Sequence, residues 1–242
     1  MKSYVVVIPA RLASTRLPNK PLIDIAGKSL IERTWIQVTK AVDKKKVYVL
    51  TDDELIFTHC EEKGIQVVMT SANCPTGTDR VAEFAMNNYY DYYVNVQGDE
   101  PVINPEDIKD IIFELQKSSD EIINGYAKIF SEEEFRSVNI PKVVFNTKKE
   151  LMYMSRSPIP GNKSNKFIEA HKQVCVYAYS HESLRSFSNT NSKTHLENVE
   201  DIEILRFIEQ GFKVKMLQLS GDSIAVDVPR DIEKVINRLK GQ

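Results

Sequence analysis

Four times between residues 4 and 115, a short apolar run is followed by a helical pattern. This alternation limits the fold more than any other feature of the sequence. Tyr4–Ile8 is a β-branched run that stops at Pro9, as a buried strand entering a loop would. Ile31, Trp35, Val38 and Val42 then recur at helical spacing. Val47–Thr51 predicts a second strand, and the helix after it runs through Glu62 and stops at Gly64. Ile65–Met69 predicts the third strand, with a helix from about Asp79 to Asn87. Tyr92–Val96 predicts the fourth, with a helix over Pro105–Leu115 entered through Asn104 and Pro105. Successive βα units build a mostly parallel central sheet with right-handed crossovers and helices on both faces. The expected class is therefore α/β and Rossmann-like.

After Ile122 the pattern changes. Runs at Ile122–Ile129, Val143–Asn146, Leu151–Met154 and Val174–Tyr179 follow closely, predicting a smaller mixed or antiparallel section over roughly 122–190 that projects from the main sheet. Helices over Glu197–Gln210 and Asp231–Lys240 complete the chain, separated by strands at Lys213–Leu219 and Ser223–Val226. No Gly/Ser-rich linker or repeat divides the sequence, so residues 1–242 read as a single domain. The 32 Lys+Arg against 34 Asp+Glu leave a net charge of −2, without the basic excess of a nucleic-acid binder. No apolar run approaches the ~18 residues of a membrane span, and the N-terminal run is too short for a signal peptide. Cys60, Cys74 and Cys175 contain no CxxC, which argues against a disulfide scaffold or a zinc ribbon. A cytoplasmic protein with no nucleic-acid or membrane partner is expected.

In an open α/β sheet ligands bind outside the carboxyl ends of the strands. Pro9-Ala10-Arg11-Leu12-Ala13-Ser14-Thr15-Arg16-Leu17-Pro18-Asn19-Lys20 follows the first strand. Its two Arg, one Lys and hydroxyls suit a polyphosphate, although the same composition serves a solvated basic loop. With its first glycine at Gly27, the chain here has neither a Walker A loop nor GxGxxG. Thr76-Gly77-Thr78-Asp79-Arg80 opens a helix, as a cap or as a site for an anion or a base edge. Gln97-Gly98-Asp99-Glu100 places a carboxylate at a strand end after a flexible glycine, a natural Mg2+ ligand. Asp227, directly after an apolar run, is either a second such ligand or the N-cap of the last helix. Two strand-end carboxylates facing a cationic loop suit a metal-bound nucleoside triphosphate. Glu197, Glu200 and Glu203, spaced by three, form a solvated face or a set of acceptors for sugar hydroxyls. Tyr89, Tyr90, Tyr92 and Tyr93 read as packing, the four histidines show no metal spacing, and Asp52 and Asp53 suit ligand contact or loop solvation equally.

Ile8-Pro9-Ala10-Arg11, Ser14-Thr15-Arg16-Leu17-Pro18 and Lys20-Pro21-Leu22 resemble the N-terminal signature of the 3-deoxy-manno-octulosonate cytidylyltransferase (CMP-Kdo synthetase) family. The likeness continues through Thr51-Asp52-Asp53, Gly77–Arg80, Val96–Pro101, Lys142–Val144, Ser155-Arg156, Val176–Tyr179, the Leu196–Arg206 stretch and Val226–Pro229. The resemblance implies a nucleotidyltransferase fold in which CTP and a 3-deoxy-2-ulosonic acid, Kdo first, yield the CMP-sugar and pyrophosphate. It implies that Pro9, Ala10, Arg11, Ser14, Thr76, Gly77, Thr78, Arg80 and Gln97 bind nucleotide, with Arg16 and Lys20 acting catalytically on the triphosphate. Asp99 and Asp227 would hold Mg2+, one ion ordering the phosphates and a second lowering the pKa of the attacking hydroxyl. Arg156, Gln173, Tyr177, Glu200 and Glu203 would bind the sugar. The family pattern also implies a homodimer formed through the sheet-rich section, and lipopolysaccharide or capsule synthesis. Three positions depart from that pattern: Gln173 stands for a His, Cys175 for a Gly and Ile204 for a Gln. Such changes bear on which acid is accepted, an amino-Kdo or a sialate-type sugar being the alternatives. A non-catalytic nucleotide-binding protein is the alternative outside enzymes.

Overall fold

The computed structural model describes residues 1–12, 17–119, 121–190 and 192–241. Its strands are β1 (Tyr4–Ala10), β2 (Asp24–Ile25), β3 (Lys28–Ser29), β4 (Val47–Thr51), β5 (Val67–Met69) and β6 (Tyr92–Val96). They continue with β7 (Ile122–Lys128), β8 (Lys142–Phe145), β9 (Leu151–Ser155), β10 (His171–Ser180) and β11 (Val214–Gln218). The helices are α1 (Leu30–Ala41), α2 (Glu54–Glu62), α3 (Gly77–Asn87), α4 (Pro105–Lys117) and α5 (Glu132–Arg136). After them come α6 (His181–Ser188), α7 (His195–Glu200), α8 (Ile204–Glu209) and α9 (Pro229–Lys240).

The central sheet runs β11-β7-β10-β6-β1-β4-β5. Neighbours are parallel except at β10, which lies antiparallel between β6 and β7. The sheet is thus mostly parallel, as the βα alternation requires. Val5 and Val7 of β1 enter one core with α3, α6 and α8, while Val6 and Ile8 enter the other with α1, α2 and α4. Helices on both faces explain why this strand is a continuous apolar run. β1 also continues through Pro9. Its pairing with β6 ends at Val7 while that with β4 extends to Ala10, so the proline has a ladder on one side, where it is tolerated.

Within residues 122–190, β7 and β10 belong to the central sheet, and β8 with β9 forms the part outside its main path. Lys142, fully buried, ties the base of that hairpin by donating to the carbonyls of Ser137, Ile140 and Arg156. Two sequence expectations are corrected. The single helix over Glu197–Gln210 is broken into α7 and α8 at Asp201, whose φ of 51° is incompatible with a continuous right-handed helix. Ser223–Val226 is not a strand; it meets the sheet through the Val226 N–H on the Asp99 carbonyl (2.9 Å), and Val226 packs with Leu17, Val102 and Val235. Among the described residues no helix is long and apolar enough to cross a membrane.

Candidate active site

The carboxyl ends of β1 and β6, the 3-10 turn at Lys20–Leu22, the start of α3 and the segment before α9 enclose a cleft of about 640 Å³. Asp99 and Asp227 meet there at Lys20. Lys20 Nζ donates to Asp99 Oδ2 at 2.6 Å and to Asp227 Oδ1 at 3.1 Å. Burial works against the charge on Lys20, but the two aspartates outweigh it and hold its pKa above the ordinary value. The alternative role for Asp227 as helix cap is answered by Asp231. Its Oδ2 accepts the backbone N–H groups of Asp227 and Val228, both at 3.1 Å, while the Asp227 carboxylate reaches Lys20.

Gly98 serves by its size rather than by flexibility. A Cβ there would stand 2.7 Å from the Pro9 carbonyl oxygen and 3.4 Å from Ile31, so only glycine lets the ends of β1 and β6 approach this closely. Thr34 Oγ1 fixes the Gly98 carbonyl at 3.1 Å. Behind Asp99, the buried Glu100 carboxylate accepts the Ser223 hydroxyl. Burial, followed by the charge of Asp99, pushes its pKa up to about 7.

On the opposite wall, Thr76 caps α3 by accepting the Asp79 N–H at 3.2 Å. The amides of Gly77 and Thr78 donate to Glu203 at 3.1 and 2.8 Å, and the Thr78 hydroxyl donates to the same carboxylate. These N–H groups, read from sequence as a site for an anion or base edge, are therefore occupied by a side chain of this protein. Burial raises the Glu203 pKa, opposed by the hydrogen bonds from Thr78 and Gly77. Arg80 lines the cleft although only 2% exposed; it pairs with Asp52 at 3.2 Å and donates to Thr70 Oγ1. Asp52 thus holds Arg80, and Asp53 caps α2 by accepting from Leu55 N at 2.8 Å.

The cleft brings together Pro9, Ala10, Arg11, Lys20, Thr76, Gly77, Arg80, Gln97, Asp99, Asp227 and Glu203 from the sequence-derived set. Thr78 stands behind Glu203, and Ser14 and Arg16 lie outside the described residues. Glu203 shares the wall with Thr76 and Gly77 instead of joining Glu200. Arg156, Glu200, Gln173 and Tyr177 lie outside that lining. Glu200 accepts from Tyr153 OH, Ser155 Oγ and Arg156 N at 3.1, 2.6 and 2.9 Å. The Arg156 guanidinium is spread over the carbonyls of Glu200, Val138 and Asp201. Their polar atoms clamp β9 to α7 and do not line the cleft. Gln173 and Tyr177 flank a register shift in β10, where Asn124 Nδ2 satisfies the carbonyls of Val174 and Val176 at 3.0 and 3.1 Å. Gln173 Nε2 donates to the Tyr177 hydroxyl at 2.9 Å. Cys175, within the shift, has its thiol pKa pushed well up by burial and then by the nearby Glu100 and Asp99 carboxylates. Ile204 is 1% exposed and packs into the core.

Sequence reasoning missed the support behind α3. Arg206, fully buried, donates to Glu197 at 2.6 and 2.7 Å and to Asp79 at 2.7 and 3.2 Å. Asp79 in turn accepts the Thr76 hydroxyl at 2.5 Å. The acid at the third helical position after Thr76 was a visible signal, but its partner 127 residues away was not. Glu197, read as part of a solvated face or of a set of acceptors for sugar hydroxyls, is wholly buried in this network. For a metal, Asp99 and Asp227 supply hard oxygen donors on separate segments that already converge on Lys20. This suits Mg2+, which takes one or two carboxylates and completes its shell with water and phosphate. Among the described residues no group of three His, Cys, Asp or Glu side chains converges as a metal cage.

A family model described as cytidylyltransferase matches residues 5–218. The chain is 38% identical over 246 residues to the 3-deoxy-manno-octulosonate cytidylyltransferase of Geotalea daltonii, covering 97% of each. It is 35% identical to the mitochondrial form of that enzyme from Arabidopsis thaliana, across 95% of this chain and 80% of the relative. Among solved structures it is similar to CMP:2-keto-3-deoxy-manno-octonic acid synthetase complexed with CTP. The TM-score is 0.89 at 32% identity, with 99% of both chains covered.

Proposed function

The chain belongs to the 3-deoxy-manno-octulosonate cytidylyltransferase family, and on that premise we propose that it transfers CMP from CTP to Kdo with release of pyrophosphate. The observation that carries this reading is the meeting of Asp99 and Asp227 at Lys20, in a cleft that also contains Arg11 and Arg80.

The anomeric 2-hydroxyl oxygen of the acid forms a bond to the α-phosphorus of CTP as the α–β phosphoanhydride bond breaks. The hydroxyl proton is lost to solvent, and the electron pair of the broken bond leaves on pyrophosphate. Arg11, Ser14, Arg16 and Lys20 bind the triphosphate and neutralise the charge that grows on the leaving group. Gln97 and the start of α3, at Thr76, Gly77 and Thr78, shape the nucleotide side, and Arg80 is held there by Asp52. Asp99 and Asp227 would hold Mg2+, which when bound orders the phosphates and favours ionisation of the attacking hydroxyl. Gln173, Tyr177 and Glu203 form the sugar side. Gln173 fixes the direction of the Tyr177 hydroxyl, so that the tyrosine presents a set hydrogen-bonding pattern.

A related ulosonic acid is the second reading, favoured by Ile204. Its side chain is in the core, so this position gives no polar contact to a sugar hydroxyl. The homodimer formed through residues 122–190, a cytoplasmic location and a place in lipopolysaccharide or capsule synthesis belong to the same proposal. The test is pyrophosphate release from CTP and Mg2+, with and without Kdo. Release that requires Kdo and stops with chelator supports the reading. Release with a different ulosonic acid but not with Kdo would transfer it to that acid, and CTP binding without turnover on any acid would make the protein a non-catalytic binder.

A further inference from the structure

The start of α3 is held from the segment 203–206. The Glu203 carboxylate accepts the amides of Gly77 and Thr78 at 3.1 and 2.8 Å. Three residues later, the Arg206 guanidinium takes Asp79 with two nitrogens, at 2.7 and 3.2 Å. Asp79 passes this hold to Thr76. Its Oδ2 accepts the Thr76 hydroxyl at 2.5 Å, and its N–H donates back to Thr76 Oγ1 at 3.2 Å. Thr76 and Gly77 line the cleft, whereas Asp79 and Arg206 do not. Arg206 is fully buried, so it has no way to touch a ligand.

Arg206 is itself fixed from two further sides. Its Nε and Nη2 donate to Glu197 at 2.6 and 2.7 Å, and its guanidinium lies 3.6 Å from the centre of the Phe187 ring. One guanidinium thus joins acids in the first turns of α3 and α7. A planar fork can serve two carboxylates in this way, and the point charge of lysine cannot. A buried cluster of this kind is weak evidence for stability, because apolar side chains of like volume often serve as well. What the arrangement does fix is the direction of the Thr76 hydroxyl and the height of Gly77 above its neighbours. The height matters because a Cβ on Gly77 would stand 3.4 Å from the Pro9 ring and 3.6 Å from Gln97 Oε1.

We propose that Arg206 is a positioning residue for the nucleotide: acting through Asp79, it sets Thr76 and Gly77 at the spacing from Pro9 and Gln97 that CTP requires. This rests on the reading of those four residues as the nucleotide side.

The test is the Kd of CTP with Mg2+ and no acid, by titration calorimetry on the full chain, beside KM and kcat for pyrophosphate release. Asp79→Asn cuts the link at α3. It is expected to raise Kd and the KM for CTP about tenfold, with kcat at saturating CTP within about threefold of wild type. Charge alone predicts the reverse, since removing a carboxylate near an anion's site tightens binding. Glu197→Gln weakens the same cluster from its other side and leaves Asp79 in place, so its Kd is expected within about threefold of wild type. Arg206→Lys keeps the charge and loses the fork, and should weaken CTP binding as Asp79→Asn does. Circular dichroism melting identifies the folded variants, and Arg206→Lys carries the comparison if Asp79→Asn does not fold. A merely structural network would lower the number of CTP sites and kcat together while leaving Kd unchanged, and that result overturns the inference. So does an equal rise in Kd in Asp79→Asn and Glu197→Gln. A wild type that does not bind CTP refutes the nucleotide reading and the inference with it. CTP binding of equal strength in wild type and Asp79→Asn refutes the inference alone. Weakened binding in Asp79→Asn, in a chain inactive on every acid, supports the inference and refutes the substrate reading.

Discussion

At the scale of single residues, the candidate site rests on charge gathered around the end of β6 and on one position where no side chain fits. Asp99→Asn and Asp227→Asn each keep the shape and remove a charge. Each is expected to lower kcat for pyrophosphate release by about a hundredfold or more. Near-normal turnover in Asp227→Asn would return that residue to a structural role at the start of α9. Gly98→Ala tests space. The added methyl meets a backbone oxygen at 2.7 Å, which cannot rotate away. Overpacking of this kind costs about 1–3 kcal/mol. The variant should therefore melt earlier and turn over more slowly, and an unchanged melting temperature and rate would show that β1 and β6 need not approach so closely. Gly98 and Asp99 were legible in the sequence because they follow a strand of the βα alternation, whereas Asp227 was reached through a strand at Ser223–Val226 that does not form. The role of Gly98 was misread, since an apparent need for flexibility and a need for space look alike until the neighbouring strand is in view.

At the scale of elements, sequence periodicity located most strands and helices but missed what joins them. The acids Glu197, Glu200 and Glu203 looked like one helical stripe. The turn at Asp201 sends them apart: Glu197 to buried Arg206, Glu200 to the end of β9, and Glu203 to the start of α3. A pattern read at constant helical pitch cannot anticipate a left-handed residue between two short helices. The β9–α7 clamp carries a pH signature. Burial alone would raise the Glu200 pKa, but hydrogen bonds from Ser155, the Arg156 amide and Tyr153 outweigh it and hold the group below its ordinary 4.5. A carboxylate with a depressed folded pKa contributes stability above its unfolded value, and that contribution is lost as pH falls through the folded pKa. Glu200→Gln should consequently show a shallower loss of stability below about pH 4.5 than wild type in denaturant titrations. Parallel acid limbs for the two proteins would mean that the clamp does not depend on the Glu200 charge.

For the whole molecule, the proposed dimer can be tested on the surface that the β8–β9 region exposes. Phe130, Val138, Met152 and Ile168 are each more than half exposed, all in or beside the section that departs from the main sheet. Scattered apolar side chains are normal on a surface, but several in one section are the raw material of an interface. Met152→Asp with Ile168→Asp is expected to convert a dimer to a monomer by light scattering while leaving the far-ultraviolet spectrum unchanged. A monomeric wild type would remove the dimer from the reading. The sequence by itself determined the α/β class, the order of the first four βα units and the strand-end position of Asp99. All of these follow from local periodicity and from the rule that parallel strands present their carboxyl ends to ligands. Only the tertiary structure decided that β10 runs antiparallel through the sheet, that Glu203 occupies the amides of α3, that Arg156 and Glu200 join β9 to α7, and that Lys20 bridges the two aspartates. They depend largely on partners distant in the chain, 44 residues apart for Arg156 with Glu200 and 207 for Lys20 with Asp227, and a pairing of that range is set by packing, which no local pattern encodes.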